Sequence, residues 1–328
     1  MASRLMDWLL GDADPSVRYA ALTRIIGYPE DSEIATEARS ALMRTGPVAE
    51  LLQKQSTEGF WGDAGRFYND KYTGTAWNLL LLAELGADPK DARVARACEF
   101  VLERSQDPDG GGFSYSASAK TGRGLASGVI PCLTGNMVYS LIKLGMLEDS
   151  RVQKAIGWIT RWQRADDGEG EGPEGDTYKR YEMCWGRHTC HMGAAKTFKA
   201  LAAIPAYKRS PQVRDKIFEL AEYFLKHRLF KRSHDPEQVA KPGWLKFGFP
   251  LMYQTDVLEL LAIFSDLEVT DERLAEAISL VRRKRLPDGS WKLENSFNGK
   301  MLVTIEKKGA PSKWVTLRAY DALRYYGG

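Results

Sequence analysis

Cysteine and histidine are scarce in this chain, with four of each among 328 residues. Four cysteines are too few for a disulfide framework that would stabilise a fold of this size. Such a low cysteine content is typical of a protein from a reducing compartment. The first residues, Met1 to Asp14, also lack the basic start and apolar run of a secretory signal. We therefore expect a cytoplasmic protein.

Long apolar runs and an excess of one charge are absent as well. The apolar run Leu79–Ala83 is only five residues long, whereas a membrane span needs about 20 residues. Lys and Arg number 46 against 43 Asp and Glu, and the net charge of +3 predicts no nucleic-acid partner. With 44% hydrophobic and 27% charged residues, the composition excludes a disordered or collagen-like chain and predicts a globular fold.

A turn-like signature recurs after apolar helical segments. Its copies are Gln55–Trp61, Gln106–Gly110, Gln163–Gly168 and Arg285–Trp291, with a degenerate copy at Arg228. The first residues of successive copies are 51, 57, 65 and 57 positions apart. Because a period of this length accommodates a helix pair with its loops, the sequence predicts a helical repeat protein.

Apolar and amphipathic helices alternate around the signatures. The predicted apolar helices are Thr73–Leu85, Thr134–Leu144, His191–Ala203, Tyr253–Leu267 and Ser312–Tyr325. The predicted amphipathic helices are Ala92–Glu103, Ser150–Trp162, Pro211–His227 and Asp271–Lys284, and a further pair, Asp14–Gly27 and Asp31–Arg44, opens the chain. Since the apolar helices leave little polar surface, we expect them to form an inner layer that the amphipathic helices wrap into a closed ring.

The glutamine-to-glycine-to-aromatic signature on a helix-pair period resembles the repeats of the terpenoid cyclase and protein prenyltransferase superfamily. The resemblance covers residues 50–328 and implies an all-α fold, an α/α toroid of about six helix pairs around an apolar cavity. We expect a single domain, 1–328. Its residues 1–48 would form an opening helix pair that resembles a HEAT repeat, and residues 49–328 the squalene-cyclase-like repeats.

The acidic motifs of that superfamily are missing. Cyclases that protonate an alkene carry an Asp-x-Asp-Asp run, but here Asp12-Ala-Asp14 continues with Pro15. Synthases that ionise a diphosphate carry Asp-Asp-x-x-Asp, but here Asp166-Asp167 is followed by Gly-Glu-Gly. The resemblance therefore implies a fold and a ligand class, isoprenoid, terpenoid or steroid-like, without fixing the reaction.

In such a toroid the inner helices run parallel, so their N-termini meet at one end of the cavity. Polar and aromatic residues near these starts are the expected substrate-binding residues: Tyr72, Trp77, Asn136, Tyr253, Lys313, Trp314 and Arg318. Lys313 and Arg318 would either hold an anionic group or tie helix ends together. Asp256 enters an apolar helix, where an unpaired carboxylate costs several kcal/mol. It is therefore either paired with Arg318 or Lys313, or tuned as a general acid.

Half of the cysteines and half of the histidines lie within eight residues, as Cys184, His188, Cys190 and His191. Thiolate and imidazole bind zinc and other divalent metals, so these residues are candidate metal ligands, with Cys132 as an additional one. Two other interpretations stay open: Cys190 and His191 act as nucleophile and base, or the group only packs and caps a helix. No glycine-rich loop follows a strand, so we expect no nucleotide cofactor.

Together these features predict an enzyme that acts on a hydrophobic small molecule in the central cavity. Cyclase, isomerase or lyase chemistry is favoured over group transfer, with Asp256, Cys190 and His191 as the catalytic candidates. The alternatives are a non-catalytic toroid that binds a hydrophobic ligand or a protein partner, and a repeat scaffold without a ligand.

Overall fold

The computed structural model describes residues 2–170, 182–186 and 188–327, and these are mostly helical. The α-helices are α1 (Ala2–Leu9), α2 (Pro15–Ala20), α3 (Glu33–Arg44), α4 (Gly46–Gln53), α5 (Thr75–Glu84), α6 (Ala92–Arg104), α7 (Pro131–Lys143), α8 (Ser150–Trp162), α9 (Glu182–Trp185), α10 (His191–Ala202), α11 (Pro211–Lys226), α12 (Val257–Asp266), α13 (Ala275–Arg283) and α14 (Lys313–Tyr325). Two antiparallel hairpins accompany them, β1 (Lys231–Arg232) with β2 (Asp235–Val239) and β3 (Trp291–Lys292) with β4 (Pro311–Ser312). The predicted all-α fold class is confirmed.

Six helical segments form the inner ring. Helix α2 continues as a π-helix, Ala21–Ile26, and the other members are α5, α7, α10, α12 and α14. Each packs on the next, from α5 to α14, and α14 packs on α2 and its continuation. The Tyr19 ring closes the circle against Gly86, just after α5, where an added Cβ would lie 2.8 Å from the ring. The toroid predicted from the sequence is therefore present.

The amphipathic helices lie outside this ring. Helices α3, α6, α8, α11 and α13 pack on α2, α5, α7, α10 and α12, respectively. The inner helices are buried on nearly all sides, as in α5, where Thr75–Ala83 is buried without a break. Each inner helix packs against its neighbours in the ring and against an outer helix. This explains why the inner helices are apolar around their whole circumference.

Three of the four signatures fasten their turns to neighbouring helices. The backbone N–H of an aromatic residue at or just after the turn donates to a threonine of the following inner helix: Trp61 to Thr75 Oγ1 (3.1 Å), Phe113 to Thr134 Oγ1 (2.9 Å) and Trp291 to Thr316 Oγ1 (2.9 Å). The indoles of Trp61 and Trp291 each donate at 2.7 Å to a carbonyl of the preceding helix. Because these groups are buried, water cannot replace a lost bond.

The leading glutamine of the signature connects successive repeats. Gln55 Nε2 donates to a carbonyl of its own turn and to Arg93 O (3.0 Å), at the start of α6. Gln106 makes the same pair of bonds, the second to Arg151 O (2.7 Å) at the start of α8. The glycine of the turn is required because Gly59 has φ +92° and an added Cβ would lie 2.5 Å from a carbonyl oxygen of α6.

A second repeated motif went unnoticed in the sequence. Three outer elements begin with Asp-x-Arg, in which the aspartate accepts the arginine's backbone N–H and binds its guanidinium: Asp91 with Arg93, Asp149 with Arg151, and Asp271 with Arg273. Arg151 and Arg273 also bind a glutamate of the previous outer helix. The motif therefore caps these three outer elements, and at Arg151 and Arg273 it also joins the element to the previous outer helix.

Several boundaries differ from the predictions. Helices α1 and α4 were not predicted, and α12 begins at Val257, after a loop, with Asp256 as its N-cap rather than inside the helix. The predicted degenerate signature at Arg228 has no glycine turn. There Arg228 and Leu229 take positive φ themselves and lead into the β1–β2 hairpin. Within the described residues no helix has both the length and the apolar character to cross a bilayer.

The threonine of the signature can be tested by Thr134→Val. The change should lower the free energy of unfolding by about 1–3 kcal/mol, because the buried N–H of Phe113 loses its acceptor while the side-chain shape is kept. Urea unfolding followed by circular dichroism measures the difference. Thr36→Val, at an exposed helix position, is the control and should stay within about 0.5 kcal/mol. Equal effects of the two changes would contradict the proposed role.

Candidate functional site

A cavity of about 440 Å³ lies inside the ring, among the last turns of α5, α7, α10 and α12. The sequence had suggested an opening at the other end, where the inner helices begin. The cavity forms here because small residues occupy these last turns and the residues just after them: Ala83, Gly86, Ala87, Ala202, Ala203 and Ala262. This cavity therefore lies at the opposite end of the ring from the expected opening, although the predicted binding residues Trp314 and Arg318 line it.

The cavity is not purely apolar. Its charged lining residues are Arg24, Glu30, Arg39, Glu84, Lys143, Lys199, Glu259, Asp266 and Arg318. Aromatic and aliphatic side chains complete the wall, including Tyr19, Tyr139, Trp314 and Leu317. This mixture of charged and apolar surface suits an amphiphilic ligand better than a hydrocarbon.

Four of these nine charged residues belong to one buried ion-pair network. Lys199 of α10 binds Glu84 of α5 and Glu259 of α12, and Arg318 of α14 binds Glu84 from the other side. Lys196 adds a second cation to Glu259 at 2.7 Å, and neither of these two side chains is more than 3% exposed. The network thus joins four inner helices across the wall of the cavity.

The network keeps its carboxylates ionised. Burial by itself would raise the pKa of Glu259, but the attraction of Lys196 and Lys199 outweighs burial and lowers this pKa to about 2. Lys199 and Arg318 likewise hold the pKa of Glu84 below its usual value against the effect of burial. The wall therefore presents fixed charges at neutral pH.

Lys143 differs from the other lining cations. Arg24 pairs with Asp266 at 2.8 Å, and Arg39 pairs with Glu30 at 2.7 Å. Lys143, the last residue of α7, has no carboxylate within ion-pair distance in the part of the chain that the structure describes. Lys143 is exposed to solvent at the cavity, and the protein atoms around its ammonium lower the pKa of this lysine by removing part of its hydration. Lys143 is therefore the cation that is free to bind a ligand.

Three predicted binding residues lie together at the opposite end of the ring. The rings of Tyr72 and Trp77 are 5.2 Å apart, and that of Tyr253 lies 6.4 and 6.2 Å from them. The Lys71 ammonium lies 5.4 Å from the ring centroid of Tyr68, 5.8 Å from that of Trp77 and 4.7 Å from that of Tyr253. We call the rings of Tyr68, Trp77 and Tyr253 the aromatic cage. Sequence reasoning missed Tyr68, whose only signal was its proximity to Tyr72.

The remaining predicted binding residues do not form one site. Asn136 donates to Met252 O at 3.1 Å, and Trp314 stacks on Phe249 with ring centroids 4.4 Å apart. Lys313 binds Asp14 at 3.0 Å, whereas Arg318 binds Glu84 in the cavity wall. Since each cation already has its own carboxylate, the structure favours the interpretation that Lys313 and Arg318 tie elements together.

Asp256 is buried and caps α12. Its two oxygens accept the backbone N–H groups of Glu259 (2.8 Å) and Gly248 (2.9 Å), so neither Arg318 nor Lys313 is its direct partner. Burial raises the pKa of this carboxyl to about 6, and Arg318 is close enough for the two charges to interact. Its role as an acid stays a prediction.

The predicted metal ligands separate into two groups. Cys132, Cys184 and Cys190 lie close enough for their charges to interact. The His188 side chain is exposed. His191 stacks on Trp244 at 3.8 Å, and burial lowers its pKa to about 3.

This separation leaves the zinc prediction without support. Among residues 2–170, 182–186 and 188–327, no group of three or more His, Cys, Asp or Glu side chains is arranged to hold a metal ion. Stacking turns the His191 ring towards aromatic neighbours, so the donor set expected from the sequence does not fit a metal here. The interaction with Cys184 lowers the pKa of the Cys190 thiol to about 7, helped by the backbone N–H groups of Gly193 and Met192.

Comparisons with known proteins give loose likenesses of fold. No protein-family model matches the chain, and no curated protein matches it either. A solved protein from Actinoplanes is 16% identical with a TM-score of 0.48, covering 100% of this chain and 99% of its own. Type II terpene cyclase MstE from Scytonema was solved as a variant with its product merosterolic acid A. It is 15% identical with a TM-score of 0.33, and the match covers 85% of this chain and 94% of MstE. A second variant of MstE, with its substrate geranylgeranyl dihydroxybenzoate, is 16% identical with a TM-score of 0.32, and the match again covers 85% of this chain and 94% of MstE.

The network can be tested by Glu259→Gln. The change should lower the free energy of unfolding by about 3–5 kcal/mol, because Lys196 is left as a buried charge without its counter-charge. Thermal and urea unfolding measure the loss, and Glu148→Gln, which breaks an exposed pair with Lys208, should have a far smaller effect. Ion pairing lowers the pKa of Glu259, so its contribution is lost only as the pH falls below the usual pKa of glutamate. The difference should therefore be the same at pH 7 and pH 5, and a tolerated substitution would contradict this account.

Proposed function

We propose that the protein binds an amphiphilic small molecule, with an apolar body and an anionic group, in the central cavity and acts on it as an enzyme. The observation that carries the proposal is Lys143, a cation without a carboxylate partner among the described residues, in a cavity whose other charges are paired. A volume of about 440 Å³ falls within the range of roughly 300–1,000 Å³ for small-molecule sites.

Two opposing effects act on an anion at Lys143. The C-terminal ends of α5, α7, α10 and α12 converge on the cavity and disfavour negative charge, each by about 0.3–1 kcal/mol near the helix end. A direct hydrogen bond between an ammonium and a carboxylate contributes roughly 1.5–3 kcal/mol. Summed over four helix ends, the unfavourable effect is about 1–4 kcal/mol and is similar in size to the direct bond. An anionic group is therefore favoured only where it bonds directly to the ammonium of Lys143.

The apolar body of the ligand would lie against Tyr19, Tyr139, Trp314 and Leu317, which line the same cavity. A hydrophobic body with a charged end is what an isoprenoid or terpenoid acid offers. This composition supports the ligand class implied by the sequence and adds an anionic end to it.

The binding step can be measured with dodecanoate and its neutral analogue dodecanol as probes. Lys143→Met should weaken dodecanoate binding about tenfold to a hundredfold, the equivalent of one charge-assisted hydrogen bond, and should leave dodecanol binding unchanged. Lys90→Met, at an exposed lysine outside the cavity, is the matched control. Calorimetric titration in which both probes weaken equally, or in which neither binds the wild type, would refute the site.

For the chemical step we propose cyclase, isomerase or lyase chemistry with Asp256 as the acid. Its carboxyl does not line the cavity, but its charge interacts with the lining residues Glu259 and Arg318, and its pKa of about 6 lets it hold a proton near neutral pH. Cys190 and His191 also lie outside the residues that line this cavity. Of the three catalytic candidates we retain Asp256, because its charge interacts with the lining residues.

Catalysis can be distinguished from simple binding with geranylgeranyl dihydroxybenzoate, an amphiphile of the proposed kind. We expect the wild type to convert it to a product of altered mass or retention time. Asp256→Asn keeps one N-cap acceptor but leaves one of the two backbone N–H groups of Gly248 and Glu259 without an acceptor. It should therefore melt at a lower temperature, still bind the probe below that temperature, and lose conversion. Binding without conversion by the wild type would support the non-catalytic alternative instead.

A further inference from the structure

The Lys71 ammonium is held by the aromatic cage alone. It lies between 4.7 and 5.8 Å from the centroids of the three cage rings. Its neighbour in sequence, Asp70, binds Arg66 instead, and no residue in the part of the chain that the structure describes forms an ion pair or a hydrogen bond with this ammonium. The cage therefore already holds a cation without the help of a carboxylate.

The cage rings are fixed by the fold and not by the lysine. Trp77 Nε1 donates to Tyr68 O at 2.7 Å, and the two rings are 4.8 Å apart. The ring of Tyr253 stacks with that of Tyr72, with centroids 6.4 Å apart. Tyr68, Tyr72 and Trp77 are buried, whereas the Lys71 side chain is exposed. The cage should therefore keep its shape when Lys71 leaves it.

We infer that the aromatic cage is a binding site for an organic ammonium cation and that Lys71 is its tethered occupant. The faces of aromatic rings attract cations, and several rings around one position are the arrangement that recognises quaternary ammonium groups. Such a group has no N–H donor, so it needs no oxygen partner in the cage. Since Lys71 is exposed, it can move into water and leave the rings to the ligand.

Lys71 competes with any ammonium from solution. Because it is attached beside the cage, its effective concentration there is on the order of millimolar. Its own ammonium is strongly hydrated, whereas the methyl groups of a quaternary ammonium can lie against the rings. The wild type should therefore bind such a ligand, but more weakly than a variant that lacks the lysine.

The test titrates choline chloride into the full chain and follows the NMR signal of the choline methyl groups, with sodium chloride at equal ionic strength as the blank. Lys71→Ala should bind choline at least about threefold more tightly than the wild type, because the tethered competitor is gone. Lys120→Ala, at an exposed lysine outside the cage, should bind like the wild type. Neohexyl alcohol, in which carbon replaces the nitrogen of choline, should bind more weakly than choline.

Tyr253 provides a matched pair of ring variants, because its ring is the nearest to the Lys71 ammonium. In the Lys71→Ala background, Tyr253→Leu should weaken choline binding, since the side chain stays apolar but loses its ring. Tyr253→Phe keeps the ring and should retain binding. Equal affinities of these two variants would show that the rings do not hold the cation.

The wild-type lysine gives a measurement that does not depend on the folding of Lys71→Ala. Reductive methylation with isotope-labelled formaldehyde adds labelled methyl groups to the lysines, and ring currents of the cage should shift the Lys71 signal upfield. Lys71→Arg assigns this signal by its loss. Choline should move the signal towards those of the exposed lysines.

Three results would overturn the inference. They are failure of choline to bind natively folded Lys71→Ala, equal binding of choline and neohexyl alcohol, and a Lys71 signal that choline leaves in place. The site lies at the opposite end of the ring from the central cavity, and its test uses neither dodecanoate nor Lys143. Its failure is therefore distinguishable from failure of the cavity proposal.

Discussion

The buried ion-pair network around Glu84 and Glu259 is the constraint on which the centre of this molecule depends. Lys196, Lys199 and Arg318 bind these two carboxylates, and the pairs join α5, α10, α12 and α14. Desolvation makes each of these charges costly alone, so the five groups are stable only together. A ring held by charges on its inner surface cannot enclose a purely apolar space, and the polar character of the cavity follows from this.

The two ends of the ring have different chemistry. The aromatic cage and the thiols of Cys132, Cys184 and Cys190 lie where inner helices begin, and the cavity lies where they end. Signature turns and aromatic packing fill the first end, whereas alanine and glycine leave room at the second. Binding of the amphiphile is therefore proposed at the charged end.

Much of the fold could be predicted because its determinants are local. Apolar periodicity located the inner helices, and the glutamine-to-aromatic signature located the turns between layers. The Asp-x-Arg caps at Asp91, Asp149 and Asp271 were equally periodic and could have been found in the same way. Helix α12 was placed too early because Tyr253 continues the apolar pattern, and only the capping bonds of Asp256 mark its true start.

The sequence by itself determined the helical repeat, the two layers and the residue types that meet inside the ring, because helix periodicity and turn chemistry act between neighbours in the chain. Only the tertiary structure decided which of these residues meet. Arg318 pairs with Glu84, whereas Lys313 pairs with Asp14. His191 stacks on Trp244, and Lys143 has no counter-charge among the described residues. Such pairings depend on the direction of each side chain and on helices that are distant in sequence. A one-dimensional pattern does not contain that information.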